Sequence, residues 1–220
     1  MKAMILAAGR GERMKPLTDS LPKPLLTVAG KPLIQYHIEA LVRAGIKDLV
    51  INHAWCGNKL EQQLGDGSQF GARIRYSPEG ERGLETGGGI FNALPLLGDE
   101  PFVVVNGDIF TDFSFEVLPR KLQGEAHLVL VANPEHNPKG DFALNDGVLY
   151  EEEDNKFTYS GIGVYTREFF SACQPGGFPL APLLRSAMSR QQVTGMLFPG
   201  LWMDIGTPAR LAEVNQRISE

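Results

Sequence analysis

Near the amino terminus the chain places Gly9, Gly11, Arg13 and Lys23 in quick succession after the apolar run at residues 4–8. A strand that empties into a small-residue loop leaves backbone N–H groups unpaired. Without side chains in the way, those groups can hold phosphate oxygens. Arg13 and Lys23 add fixed positive charge beside them, so the stretch reads as a cradle for a nucleoside triphosphate. Two commoner phosphate loops do not fit. A dinucleotide fingerprint needs a third small residue where Met14 stands, and a helix where Pro16, Pro22 and Pro24 follow. A Walker A loop needs Gly-Lys-Ser/Thr after its glycines, which is absent.

Two carboxylates share the setting expected of such a loop. Val103-Val104-Val105-Asn106-Gly107-Asp108 is a buried strand ending in Asn-Gly-Asp, and Leu201-Trp202-Met203-Asp204 again ends a short apolar run in an aspartate. Asp204 is not needed to cap the helix that follows, because Thr207 and Pro208 suit the cap and first helical positions. Asp108 and Asp204 on one rim beside a phosphate cradle suggest Mg2+, which takes one or two carboxylates and completes its shell with phosphate oxygens and water. A fourth stretch, Ser77-Pro78-Glu79-Gly80 with Leu84-Glu85-Thr86-Gly87-Gly88-Gly89-Ile90, opens a helix with three glycines. That would admit a flat ligand very closely, or else a tightly packed neighbour. His37, His53, His127 and His136 show no ligand spacing and are expected in the core or on the surface.

The elements that must position these groups follow from periodicity. Residues 4–8, 49–51, 72–76 and 101–105 read as buried strands. Residues 32–44, 58–64 and 86–97 have helical spacing, the first with Gly45 as its cap. This alternation predicts a three-layer α/β fold with a mixed, mainly parallel sheet and functional loops at the carboxyl ends of the strands. After residue 125 the rhythm changes. Strands are expected at 128–132 and 161–165, with short pieces at 142–144, 148–150 and 157–159 and a hairpin turn at Asn145-Asp146-Gly147. These would form a small β-rich lid over the sheet edge. A helix at 180–189, strands at 193–198 and 201–204, and a last helix at 208–218 complete the chain. One domain is expected over residues 1–220, with halves at 1–125 and 126–220 and the phosphate cradle in the first.

The run Leu6-Ala7-Ala8-Gly9-x-Gly11-x-Arg13-x-x-Pro16-Leu17-Thr18, then Pro22-Lys23-Pro24, resembles the signature of the sugar-1-phosphate nucleotidyltransferases. The resemblance implies a Rossmann-like, glycosyltransferase-A-like fold that joins a nucleoside triphosphate to a sugar 1-phosphate and releases pyrophosphate. It implies nucleotide contacts at Leu6, Ala7, Ala8, Gly9, Gly11, Glu12, Arg13 and Lys23, with Glu79, Thr86 and Gly87 beside the base. Catalytic roles fall to Arg13 and Lys23, and the metal to Asp108 and Asp204. Sugar contacts would come from Asn106, Gly140 and Asp141, from Glu152 in the run Glu151-Glu152-Glu153, and from Ser160 with Gly161. Taken alone, that glutamate run is a solvated acidic turn. Glu12 stands where many relatives carry a threonine. The Glu-Lys-Pro that grips the sugar phosphate in longer relatives is missing, and their extra carboxyl-terminal domain is not expected. The glycine-rich loop, with Asn52-His53-Ala54-Trp55, is similar to the uridylyltransferase branch acting on N-acetylmuramate α-1-phosphate in cell-wall recycling, which implies UTP as donor. Lys139 and Arg185 are cations available for a lactyl carboxylate.

The chain has 220 residues, 43% of them hydrophobic, and a net charge of −5, so a broad nucleic-acid surface is not expected. Cys56 and Cys173 stand far apart and read as free thiols of a reducing compartment. No apolar run nears a membrane span, and a cytoplasmic protein, monomeric or a small homo-oligomer, is expected. Two rival readings stay open: transfer of another nucleotide to another phosphorylated acceptor such as mannose 1-phosphate, and a non-catalytic sugar-nucleotide sensor. The latter would have no need to keep Arg13, Lys23, Asp108 and Asp204 together.

Overall fold

The computed structural model describes residues 1–80, 83–152 and 154–219. Strand β1 (Ala3–Leu6) is apolar throughout and almost wholly buried, as a central strand covered on both faces must be. The glycine turn follows, then one turn of 3-10 helix at Glu12–Met14, a second at Lys23–Leu25, and a small hairpin of β2 (Thr27–Val28) and β3 (Lys31–Pro32). Helix α1 (Leu33–Arg43) buries Leu33, Ile34, Ile38 and Leu41. It stops at Gly45, whose φ of 75° only glycine adopts freely, with Gly45 N–H bonded to Val42 O and Ile46 N–H to Leu41 O. Then come β4 (Asp48–His53), α2 (Gly57–Leu64), β5 (Arg73–Pro78), α3 (Glu85–Leu97), β6 (Phe102–Asn106), β7 (Ile109–Thr111) and β8 (Ala126–Val131). The remainder is β9 (Phe142–Asn145), β10 (Val148–Tyr150), β11 (Lys156–Tyr165), α4 (Ala181–Ser189), β12 (Val193–Leu197), β13 (Trp202–Asp204) and α5 (Pro208–Ser219).

Among the described residues one nine-stranded sheet runs in the order β5-β4-β1-β6-β11-β8-β12-β10-β9. It is parallel across β5-β4-β1-β6 and again between β8 and β12, and antiparallel elsewhere. Alternate residues of β1 look to opposite sides. Ala3 and Ile5 pack with Ile34 and Ile38 of α1 and Leu60 and Leu64 of α2. Met4 packs with Ile90, Ala93 and Leu94 of α3. This is the three-layer arrangement that the strand–helix alternation demands.

The β-rich half differs in detail from the expectation. Its hairpin, turned by Asp146 and Gly147 with both φ angles positive, extends the main sheet through β12 and the start of β11. The strands expected at 157–159 and 161–165 are one strand, β11. Its register with β8 slips between Tyr159 and Ile162, so Ser160 and Gly161 form a bulge, with Gly161 at φ 81°. A separate ribbon pairs β13 with β7, setting Asp204 opposite Ile109. No helix among the described residues is long and apolar enough to cross a membrane.

His37 on α1 is buried, and its Nε2 lies 2.9 Å from the carbonyl of Ile109. A carbonyl only accepts, so Nε2 carries the proton. Burial pushes the pKa down to about 4, against the opposing pull of that carbonyl and of Asp108. The folded pKa lies below the unfolded one, so this group's contribution is complete above pH 6.5 and is lost as pH falls. Urea denaturation between pH 6.5 and about 5 should show stability falling. In His37→Gln, which keeps a donor but cannot titrate, the slope should be shallower by up to about 1.4 kcal/mol per pH unit. An unchanged slope would mean that His37 is already charged in the fold.

Candidate active site

Leu6 pairs with Asn52 of β4 on one side and with Asn106 of β6 on the other, so three parallel strands end level. The chain beyond them is pinned by side chains. Asn52 Oδ1 accepts the N–H of Ala7 at 2.8 Å, and its Nδ2–H donates to Glu79 Oε1 at 2.5 Å. Glu79 Oε2 then accepts the N–H of Leu84, just before α3. On the other flank Gly107 N–H donates to Leu6 O, and a β-carbon at Gly107 would lie 2.7 Å from that oxygen. The end of β1, the end of β5 and the entry to α3 are thereby one hydrogen-bonded unit.

The glycine turn sits between these flanks. A β-carbon on Gly9 would meet nothing within 4 Å, so its backbone faces open space. Gly11 has φ 68° and is held by Thr18, whose buried hydroxyl donates to the Gly11 carbonyl at 2.7 Å. In front lies a cavity of about 360 Å³. Of the residues expected from sequence, Leu6, Ala7, Ala8, Gly9, Lys23, Glu79, Thr86, Asn106 and Asp108 line it. Lys23, only 8% exposed, is turned inward by its 3-10 turn and sets Nζ 2.6 Å from Asp108 Oδ2.

Asp204 approaches from the ribbon. Ile205 N–H donates to the carbonyl of Asp108 at 2.7 Å, so both aspartates sit on adjoining segments at one end of the β7–β13 pair. Asp204 Oδ1 lies 3.0 Å from His136 Nε2, and Oδ2 binds Arg210 Nη1. Arg13 is exposed, and among the described residues no ion pair to it is formed. A β-carbon on Gly206 would lie 3.1 Å from Asp204 Oδ2 and 3.6 Å from Arg13 Nη2, which puts that guanidinium beside Asp204. No cluster of three or more His, Cys, Asp or Glu side chains is assembled for a metal ion among the described residues. Two carboxylates are hard oxygen donors that suit a magnesium ion drawing its other ligands from phosphates and water.

Several expected contacts are made within the protein instead. The triple glycine does not open α3 to a ligand. A β-carbon on Gly87 would lie 2.6 Å from the Phe178 ring, one on Gly88 would strike the Gly176 carbonyl, and one on Gly89 would strike Glu79. Glu12 faces outward, where Lys15 and, at longer range, Arg10 hold its carboxyl below the usual range. Asp141 Oδ2 accepts the N–H of Tyr159 and Oδ1 accepts from Asn137. The Ser160 hydroxyl is buried in the bulge, donating to Val129 O and accepting from Ile162 N–H. Gly140 (φ 66°) packs on the backbone of Lys156. Glu152 is exposed, and Glu153 lies outside the described residues. Gly161 does not line the cavity itself but packs on Asn106, which does: the Asn106 amide fills the space a β-carbon would need. Arg185, a cation considered for a lactyl carboxylate, is paired with Glu151 at 2.7 Å.

Sequence reasoning missed other neighbours. Arg10 and Trp55 line the cavity together, the guanidinium 3.6 Å over the indole, whose Nε1–H donates to Thr18 O. His136 carried no signal. Arg210 carried a faint one: it is a cation in the first turn of α5, the end of a helix that disfavours positive charge.

Asn52 offers a direct test of the unit. Asn52→Ala leaves the Ala7 N–H and one Glu79 oxygen without their partners. It should destabilise the fold by about 1–3 kcal/mol in urea denaturation. A change below about 0.5 kcal/mol would mean that the bridge does not hold the turn.

A family profile described as Nucleotidyl transferase matches residues 2–144, more than half of the chain. An N-acetylmuramate alpha-1-phosphate uridylyltransferase of Neisseria meningitidis is 54% identical over 97% of this chain and 96% of its own length. A protein of the same name from Caulobacter vibrioides is 32% identical over 99% of this chain and 97% of its own. In three dimensions the chain superposes on a UDP-glucose pyrophosphorylase complexed with UDP-glucose with a TM-score of 0.80, covering 99% of this chain and 98% of that one. At 21% identity that last likeness shows the fold alone. Breadth of match and identity together leave one conclusion: this chain belongs to the nucleotidyl transferase family.

Proposed function

We propose that the protein transfers uridylate from UTP to N-acetylmuramate α-1-phosphate, giving UDP-N-acetylmuramate and pyrophosphate, and so serves peptidoglycan recycling in the cytoplasm. The observation that carries the reaction class is the Gly9 turn and the Lys23–Asp108 pair on one cavity, with Asp204 on the segment that adjoins Asp108. The choice of base and acceptor is supported by the activity named for the two relatives of nearly equal length.

An oxygen of the sugar phosphate attacks the α-phosphorus of UTP, the α–β bridging bond breaks, and pyrophosphate leaves with the electron pair. A phosphate monoester has its second pKa near ~6, so the nucleophile is already largely a dianion at neutral pH and needs no general base. The barrier is the approach of one anion to another, and catalysis is positioning and charge neutralisation. Lys23 stands at the cavity wall with its ammonium fixed by Asp108, ready to face the α-phosphate. Arg13, with no described ion-pair partner, is free to hold the β- and γ-phosphates as they leave, a task suited to a planar fork of donors. The backbone around Gly9 takes the remaining phosphate oxygens, and Glu79 and Thr86 border the base. A magnesium ion held by Asp108 and Asp204 would neutralise further phosphate charge and hold the reacting groups in line.

The test is a product assay with UTP, GTP, dTTP or CTP, Mg2+ and a panel of sugar 1-phosphates. UDP-N-acetylmuramate and pyrophosphate should dominate, and chelation of the metal should stop turnover. Turnover confined to another base or acceptor would reject the assignment. Lys23→Ala should keep the fold, read by circular dichroism, and lose on the order of 10²-fold or more in kcat. Near-normal kcat in that variant would remove Lys23 from the mechanism.

A further inference from the structure

Both oxygens of Asp204 are engaged within the chain, Oδ1 by His136 and Oδ2 by Arg210. Arg13 adjoins the same point: a β-carbon on Gly206 would lie 2.9 Å from Arg210 Nη1 and 3.6 Å from Arg13 Nη2. Three cationic or donor groups from the glycine turn, the β8–β9 connection and α5 thus crowd around one carboxylate. Arg210 and His136 are each held there by Asp204. The Arg210 side chain is 21% exposed. His136 projects from a connection fixed at its base by Asn133, which accepts from the Thr158 hydroxyl and donates to Lys156 O, and by Asn137, which donates to Asp141 and Thr158.

This arrangement leaves donors over. A guanidinium has five N–H groups in a planar fork, and only Nη1 of Arg210 is bonded to Asp204. We propose that Arg210 and His136 form the clamp for the phosphate of the sugar 1-phosphate. The proposal rests on the reading above, in which Asp204 holds a divalent cation. Arg210 and His136 now use the lone pairs of Asp204 that a cation there would need, so with the cation bound both groups would be free to turn to another anion. The ligand that suits them is a phosphate dianion: the fork takes two oxygens and the imidazole N–H a third. On the reading above Lys23 and Arg13 face the triphosphate, so the acceptor's phosphate needs donors of its own.

Binding can be read without turnover. N-acetylmuramate α-1-phosphate and glucose α-1-phosphate are titrated calorimetrically into the full-length protein with Mg2+ and α,β-methylene UTP. Arg210→Met should weaken both acceptors about 10-fold or more, and His136→Gln about 3-fold, as expected for charge-assisted and neutral hydrogen bonds to phosphate. Affinity for the UTP analogue should stay within about 2-fold, and affinity for Mg2+ should not fall, since Arg210 competes with the cation for Asp204. Arg210→Lys should recover part of the loss, because it restores charge without the fork. Should Arg210→Met fail to fold, Arg210→Lys and His136→Gln decide the matter by the same measurement. Unchanged acceptor binding in the folded variants overturns the clamp alone. An equal loss of Mg2+ or UTP-analogue binding also overturns it, making Arg210 a positioning residue for Asp204. A wild-type protein that binds the UTP analogue but no sugar 1-phosphate overturns both the clamp and the functional reading beneath it.

Discussion

The level ending of β4, β1 and β6 is the constraint from which the rest of this molecule follows. Leu6 lies between Asn52 and Asn106, and the chain leaves β1 toward α1 on one face while α3 feeds β6 from the other. Where strand order reverses about the first strand, adjoining loops part and leave a crevice. The crevice would be shapeless if the loops were slack. Asn52 prevents that by binding the first backbone N–H past β1 and, through Glu79, the approach to α3. A short amide therefore fixes the spacing between the phosphate turn and the wall that carries Thr86.

Charge is distributed to match. The chain as a whole is acidic, yet Arg10 and Lys23 line the cavity, and each candidate metal carboxylate is held by a cation: Asp108 by Lys23, Asp204 by Arg210 with His136 beside it. Lys23 is almost wholly removed from solvent, so its pair with Asp108 cannot be left half-made without some desolvation cost. These pairs therefore keep the site in order. The elements after residue 125 are bound to those before it through the same economy of space. Phe178 and the Gly176 carbonyl lie where side chains on α3 would otherwise be, and the Asn106 amide lies where a side chain on Gly161 would be. Trp202 closes the ring by donating its indole N–H to Ser160 O.

Much of this was legible in the residues. The apolar run of β1, the spacing of α1 with its Gly45 cap, the Asp146-Gly147 hairpin and the Thr207-Pro208 helix start are decided by contacts within a few residues, so the local sequence carries them. The glycine turn was legible too, as backbone rather than as a proven ligand site, because glycine and proline limit their own backbones whatever lies around them. The purpose of the triple glycine was not. Its sequence says only that something approaches closely, and whether a ligand or Phe178 does so depends on a segment about ninety residues away.

The sequence by itself therefore determined the kind of fold and the chemistry on offer: strands buried on both faces, a loop able to take phosphate, and carboxylates and cations at strand ends. Tertiary structure alone decided which of those groups meet. It joined Lys23 to Asp108, brought His136 and Arg210 to Asp204, and set Arg10 on Trp55, while turning Asp141 and Ser160 into the hydrogen bonding of their own strands. The physical reason is that backbone propensity acts over neighbouring residues, whereas a side chain's partner is chosen by sheet register and crossover. Those become fixed only when the whole sheet closes.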